Sequence, residues 1–290
     1  MPIFHDHLEQ GSQAWLDFRK DKITATMIAT IMGVNPYKSA YMLWQEILGL
    51  RELDAENDAM RRGKDLEPIA LAAYCKILGR EMRPAVVTHS TANWAMASLD
   101  AIDCKGLHIG EIKCMGKKNH EEAMNGVIQK SHEYQMQWQM YVTELFECDY
   151  FPFSEESNNV MTTKRDQELI NKMIIAAEEF RMMLDTVTPP PFTDLDYEDK
   201  SEDAYWNMLC NMYERHNQQE KCAISEKDKV KNKMIEYANG RNVKGANSKF
   251  TGYMMQGKIN YEVIPALKDV NLDTYRKPSV QCYRITTSKD

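Results

Sequence analysis

The order of apolar and polar positions divides the chain into a helical first quarter, a strand-rich middle and a helical remainder. Gly11-Ser-Gln-Ala-Trp15-Leu-Asp-Phe-Arg19 reads as a short helix with Ser12 as its N-cap. Ile23-Thr-Ala-Thr26-Met-Ile-Ala-Thr-Ile-Met-Gly33 reads as a second, capped by Thr24 and ended by Gly33. Helices are expected at about 40–48 and 57–78, with Pro68 restarting or kinking the latter and holding Glu67 at the irregularity. Strands are expected near 82–89, 95–100 and 107–114, then one helix ending in Tyr134-Gln-Met-Gln137-Trp-Gln-Met-Tyr141-Val-Thr143, a strand at 148–153 and a helix at 165–186. Pro189-Pro-Pro191 cannot continue a helix and sets the expected boundary between a domain of residues 1–188 and an extension of residues 189–290. In that extension, 201–237 has a helical pattern with Ile224, Val230, Met234 and Tyr237 as a thin apolar seam. Short strands are expected at 251–255 and 259–263 around a Gln256-Gly-Lys turn.

Composition narrows the class. The chain has 290 residues, 43% hydrophobic and 27% charged, enough for one large domain with an appendage. A net charge of −7 argues against a general nucleic-acid coat protein, but not against a nuclease, which concentrates acids at a metal and needs cations along one groove only. The seven cysteines form no C-x-x-C pair and the histidines show no ligand spacing, which argues against zinc, iron–sulfur or a disulfide framework. With no basic and apolar leader at Met1-Pro-Ile-Phe-His-Asp and no long apolar run, the expectation is a cytosolic protein with no membrane contact.

The chemistry concentrates in Ser98-Leu-Asp100-Ala-Ile and Leu107-His-Ile-Gly-Glu111-Ile-Lys113, read as two strands of a hairpin. Alternation sends Glu111 and Lys113 to one face and Ile112 into the core. An aspartate beside a glutamate is costly unless a cation neutralises them, and oxygen ligands alone favour Mg²⁺ or Mn²⁺. Lys113, on the same face, would orient a water or offset charge on a phosphate. The same order of charges also describes the solvated face of an ordinary hairpin, so the flanking residues decide. Lys117 and Lys118, just after the acids, are candidates for DNA-backbone contact or for a solvated loop.

Gly11-Ser-x-x-Trp15-x-x-x-Arg19 with Ile23-Thr-Ala-Thr26, Arg62-Gly63-x-x-x-Glu67-Pro, Ser98-x-Asp100, Glu111-Ile-Lys113-Cys and Tyr134-x-x-Gln137-x-Gln-Met stand in an order that resembles the YqaJ-type viral recombinases. This is the phage lambda exonuclease family of the PD-(D/E)xK nuclease superfamily, and the resemblance covers roughly residues 8–153. It implies a mixed α/β, restriction-endonuclease-like core, with a central mixed sheet flanked by helices and here a helical and β C-terminal extension. It implies Mg²⁺-dependent digestion of linear double-stranded DNA from 5′ ends, leaving 3′ single strands for a single-strand annealing protein, by an enzyme that assembles as a ring of three. Residue by residue, it implies Asp100, Glu111 and the Ile112 carbonyl as metal ligands, Lys113 as the catalytic lysine and Glu67 as a supporting acid. Arg19, Thr26 and Ser98 match the positions that hold the terminal phosphate.

Gln135 and Gln137 fall in the glutamine motif. They are two apart and cannot share a helix face, and Gln137 is the preferred of the two. The family commonly has Ser-Pro-Asp-Gly where this chain has Ser98-Leu-Asp100-Ala, and serine where it has Thr26. The alternatives to an exonuclease are an endonuclease of the same fold and a DNA-end-binding recombination scaffold.

Overall fold

A computed structural model describes residues 1–53, 55, 57–245, 248–255, 257, 264–267 and 270. The chain forms two compact units, Met1–Glu198 and Asp199–Asp290. In the first, β1 (Ile3–Phe4) precedes α1 (Gln13–Phe18), β2 (Ile23–Thr24), α2 (Ala25–Ile31), α3 (Ala40–Ile47) and α4 (Asp58–Leu78). Next come β3 (Met82–Thr88), β4 (Ala95–Asp103), β5 (Ile109–Lys113), α5 (Lys117–Met124) and α6 (Lys130–Thr143), followed by β6 (Glu147–Pro152), β7 (Met161–Lys164) and α7 (Gln167–Asp185). Ser12, Ser39 and Asp166 cap α1, α3 and α7 with their side chains, taking the N–H groups of Trp15, Met42 and Leu169.

One sheet runs β1-β3-β4-β5-β6-β7, mixed because β5 and β6 pair in parallel. The short β2 pairs in parallel with the start of β4, Ile23 against Ala95 and Thr24 against Met96. Helices cover both faces. The larger core lies between the sheet and α2, α3, α6 and α7, and holds Ile28, Trp44, Leu99, Ile102, Trp138, Val142 and Phe180. The smaller lies under α4, where Ala70 and Tyr74 meet Met82, Ala101, Ile112, Phe151 and Phe153. Tyr74 is anchored by donating its hydroxyl to the buried Asp149 carboxylate at 2.8 Å. Asp149 also takes the Thr162 hydroxyl at 2.7 Å and meets His108 Nε2 at 2.9 Å.

Helix α6 is buried without a break from Gln135 to Thr143. A helix sunk between a sheet and a second helical layer favours partners for its polar side chains, since an unpaired buried amide is costly, although Trp138 Nε1 has none among the described residues. That preference governs its glutamines below.

The structure departs from the sequence expectations at several points. Ile23 and Thr24 are extended, not helical, because they are claimed by β4, and the Thr24 hydroxyl meets that of Thr26 at 3.0 Å instead of capping α2. Helix α4 continues through Pro68. The segment before Thr143 holds two helices, α5 and α6, and β7 was not foreseen. Beyond Pro189-Pro-Pro191, Phe192 packs on Tyr41 and Asp196 accepts a short hydrogen bond from Ser39, so these residues belong with α3 in the first unit.

In the second unit α8 (Ala204–Ala238) is a single, largely exposed 35-residue helix, and β8 (Val243–Lys244) pairs with β9 (Lys249–Phe250). Residues 251–255 carry no strand, and the strand expected at 259–263 lies outside the described residues.

Candidate active site

The site is built where the sheet splits. β4 and β5 pair only at Ala101–Gly110 and Ile102–Ile109, and the ladder ends there. Beyond it the free side of β4 is taken by β2, while β5 continues against β6. At the point of divergence the Asp100 side chain replaces the missing backbone partner, accepting from Ile112 N–H at 2.9 Å.

β4 also carries an extra residue there. Ile102 faces Arg83 and Leu99 faces Ala85, so Asp100 and Ala101 together oppose Pro84, the count of a β-bulge. Pro84 has no N–H to give, which suits this irregularity. Leu99 and Ile102 point into the larger core and Ala101 into the smaller, while Asp100 lines a cavity of about 420 Å³ with Glu67, Pro68 and Leu71 of α4. Asp100 therefore enters the cleft from the α4 side. Simple strand alternation did not foresee the bulge.

Glu111, fully buried, enters from the α6 side. One of its oxygens takes a close ion pair from Lys113 Nζ, and the other takes the Gln139 side-chain amide. Burial raises the Asp100 carboxyl well above its ordinary value, and the Glu111 charge adds to this. Burial alone would lower the Lys113 pKa, but the Glu111 and Asp100 carboxylates outweigh it and hold the ammonium charged. Glu67 is raised as well, first by burial, with Lys113 pulling down and Glu111 pushing up.

Two carboxylates with one ammonium between them thus leave an excess of buried negative charge. Among the described residues no three His, Cys, Asp or Glu side chains converge as a metal cluster. The donors on hand are two carboxylates and the β5 backbone between them. That suits a hard ion that keeps waters, and not zinc. Covalent catalysis by the neighbouring cysteine is disfavoured, since burial, Glu67 and Asp100 push the Cys114 thiol up to about 11. His132 is held neutral, driven down to about 3 by burial and by Lys113, and shares a 2.9 Å hydrogen bond with the Tyr150 hydroxyl.

Of the phosphate-binding candidates, Arg19 and Ser98 are linked through a residue without an assigned role. The Arg19 guanidinium lies 4.4 Å from the centre of the Trp15 ring, and the Trp15 indole N–H donates to Ser98 Oγ at 3.0 Å. Spacing of four on α1 puts the ring beneath the guanidinium, a signal present in the sequence. Thr26 is exposed at the start of α2, directly after the strand that pairs with Met96, two residues before Ser98. It makes no hydrogen bond to Arg19 or Ser98 among the described residues.

The preference for Gln137 is corrected. Gln137 gives its amide N–H to the Lys164 carbonyl at 2.8 Å and accepts from Asp166 N–H at 2.8 Å, tying α6 to the β7–α7 junction. Gln139, one alternation on, is the glutamine at Glu111.

Residues 14–145 match the family model of the YqaJ-like viral recombinase domain. The alkaline exonuclease LHK-Exo of Laribacter hongkongensis has a similar structure, at 26% identity and a TM-score of 0.54, over 61% of this chain and 94% of that one. LHK-Exo in complex with dAMP gives a TM-score of 0.55 at the same identity and coverage. An uncharacterised protein of Acanthamoeba polyphaga mimivirus is 28% identical over 156 residues, which are 49% of this chain but only 28% of that protein's length. Every candidate site residue lies within the matched segment, and that segment is similar to the YqaJ-like viral recombinase domain.

Proposed function

We propose that the chain is a divalent-cation-dependent exodeoxyribonuclease that degrades linear duplex DNA from 5′ ends and leaves 3′ single strands, the substrate of a single-strand annealing partner. The observation that carries the reading is the convergence of Asp100 and Glu111 from opposite faces of the split sheet, with Lys113 between them. Asp100, Glu111 and the Ile112 carbonyl would hold Mg²⁺ or Mn²⁺. Such an ion supplies charge stabilisation at the phosphate and lowers the pKa of a water.

The chain's own groups do the rest. Lys113 keeps an ammonium at the reacting phosphate, and Gln139 fixes the rotamer of Glu111. Glu67 closes the α4 side of the cleft. Arg19 stacked on Trp15, with Ser98 and Thr26, would grip a terminal 5′ phosphate through charge-assisted hydrogen bonds.

The similarity to LHK-Exo supports an exonuclease over an endonuclease. A ring of three, as the family resemblance implies, is part of the same proposal. The test is to incubate end-labelled linear duplex, with 5′-phosphate or 5′-hydroxyl ends, and closed circular duplex with Mg²⁺ or with chelator. Digestion of linear DNA only, faster from 5′-phosphate ends and abolished by chelator, is expected. Opening of circles, release of label from 3′ ends first, or equal rates on both 5′ ends would overturn it.

A further inference from the structure

At the end of β5 lies a second cavity of about 180 Å³ that the reading above leaves unused. Its walls come from four elements: Arg62 in the first turns of α4, Cys114 to Gly116 at the end of β5, Asn119 of α5, and Gln129 with His132 at the start of α6. The approach of α4 is close, since a Cβ on Gly63 would lie 3.8 Å from the Cys114 carbonyl oxygen. Arg62 thus stands over the residue that follows Lys113.

The cation is not used within the fold. Arg62 is exposed and makes no ion pair among the described residues, and the same holds for Lys117 and Lys118 on the adjoining first turn of α5. Three unpaired cations on two elements, beside amides from Asn119 and Gln129, form a concave, cationic spot in a chain whose net charge is −7. Any anion brought to this edge of an acidic cleft must be held against Glu67, Asp100 and Glu111, which gives local cations a purpose there. His132 contributes no charge, being held neutral, so the anion would rest on Arg62 and the lysines.

We infer that this cavity is a binding subsite for a backbone phosphate of the DNA substrate other than the one cleaved, with Arg62 as its principal cation and Lys117 and Lys118 as its rim. The inference rests on the nuclease reading and adds a second point of attachment to the terminal-phosphate grip. Two such points would fix the strand's direction across the metal site.

The test uses the full chain, with a fluorescent 5′-phosphorylated duplex in chelator so that nothing is cut, and binding followed from low to moderate salt. Each phosphate contact contributes about 0.9 to the slope of log affinity against log salt. Arg62→Ala should lower that slope by about one and weaken binding by roughly tenfold, whereas Arg62→Lys should restore most of the slope. The pair Lys117→Ala and Lys118→Ala should lower it further. Lys172→Ala, an exposed lysine on α7, should leave it unchanged. A wild-type chain that binds and cuts duplex while Arg62→Ala keeps its slope would overturn the subsite alone. A wild-type chain that neither binds nor cuts would overturn the nuclease reading and this inference together.

Discussion

The two glutamines of α6 differ in what their loss would do, although both are buried. Gln137→Ala leaves the Lys164 carbonyl and the Asp166 N–H without their partner. It should cost about 1–3 kcal/mol of stability, read as a lower melting temperature, with cleavage per folded molecule retained. Gln139→Ala frees Glu111 and should lower cleavage by roughly 10- to 100-fold. Steady-state rates normalised to folded protein separate the two.

Asp100 carries the opposite trade. Its folded pKa is raised, so protonation favours the fold, and the charged form weakens it as pH rises above the ordinary carboxylate value. In chelator at neutral pH, Asp100→Asn should therefore melt higher by a few degrees, about 1 kcal/mol or more, while abolishing cleavage. Adding Mg²⁺ should raise the melting temperature of the wild type only; a variant that melts lower in chelator would refute the assigned repulsion.

Residue types and spacing made the grouping of Asp100, Glu111 and Lys113 legible in the sequence. They pointed to Gln135 or Gln137 and not to Gln139, because that choice depends on which face of a wholly buried helix meets the sheet. Trp15 was readable as a helix residue, but its bond to Ser98 is a tertiary contact.

Among the elements, most helices and the long strands β3 to β6 were legible from the order of apolar and polar positions. Two of the misses share a cause, which is that a tertiary partner overrode the local pattern. β2 is extended because β4 offers an open edge, and the bulge at Asp100 stands opposite Pro84 on the neighbouring strand.

Helix α4 shows what such a partner contributes. Tyr74 meets Gly110 so closely that a Cβ there would lie 2.7 Å from its ring, and its hydroxyl ends on Asp149. Gly110→Ala should destabilise by at least about 1–3 kcal/mol through overpacking. Tyr74→Phe should cost about 1.5–3 kcal/mol through the lost bond to a carboxylate. Denaturant titrations of both would test this, and because Glu67 rides on the same helix, cleavage should fall with Gly110→Ala even at temperatures where the protein stays folded.

For the molecule as a whole, acid sensitivity should have an identifiable source. His132 is buried neutral with its pKa driven to about 3, so the unfolded chain binds its proton first. Its contribution is fully present above pH about 6.5 and declines as pH falls toward 3. His132→Gln should remove up to roughly 1–2 kcal/mol of the loss between neutrality and pH 5, visible as a flatter dependence of stability on pH.

The two-residue, parallel β2 has a further consequence for motion. It is joined to β4 late in the chain, and one of its few bonds is Ile23 N–H to the Trp94 carbonyl at 2.8 Å. Short parallel pairing of distant segments forms late and opens early. In native-state hydrogen exchange, the Ile23 amide should open with far less free energy than amides at the centre of β4 and β5, whose exchange should require global unfolding. On the proposed function, the arm that carries Arg19 would then unlatch from an intact β4–β5 hairpin, and the proposed grip on a DNA end would be a reversible clasp whose opening rate limits how fast one end is released and another taken.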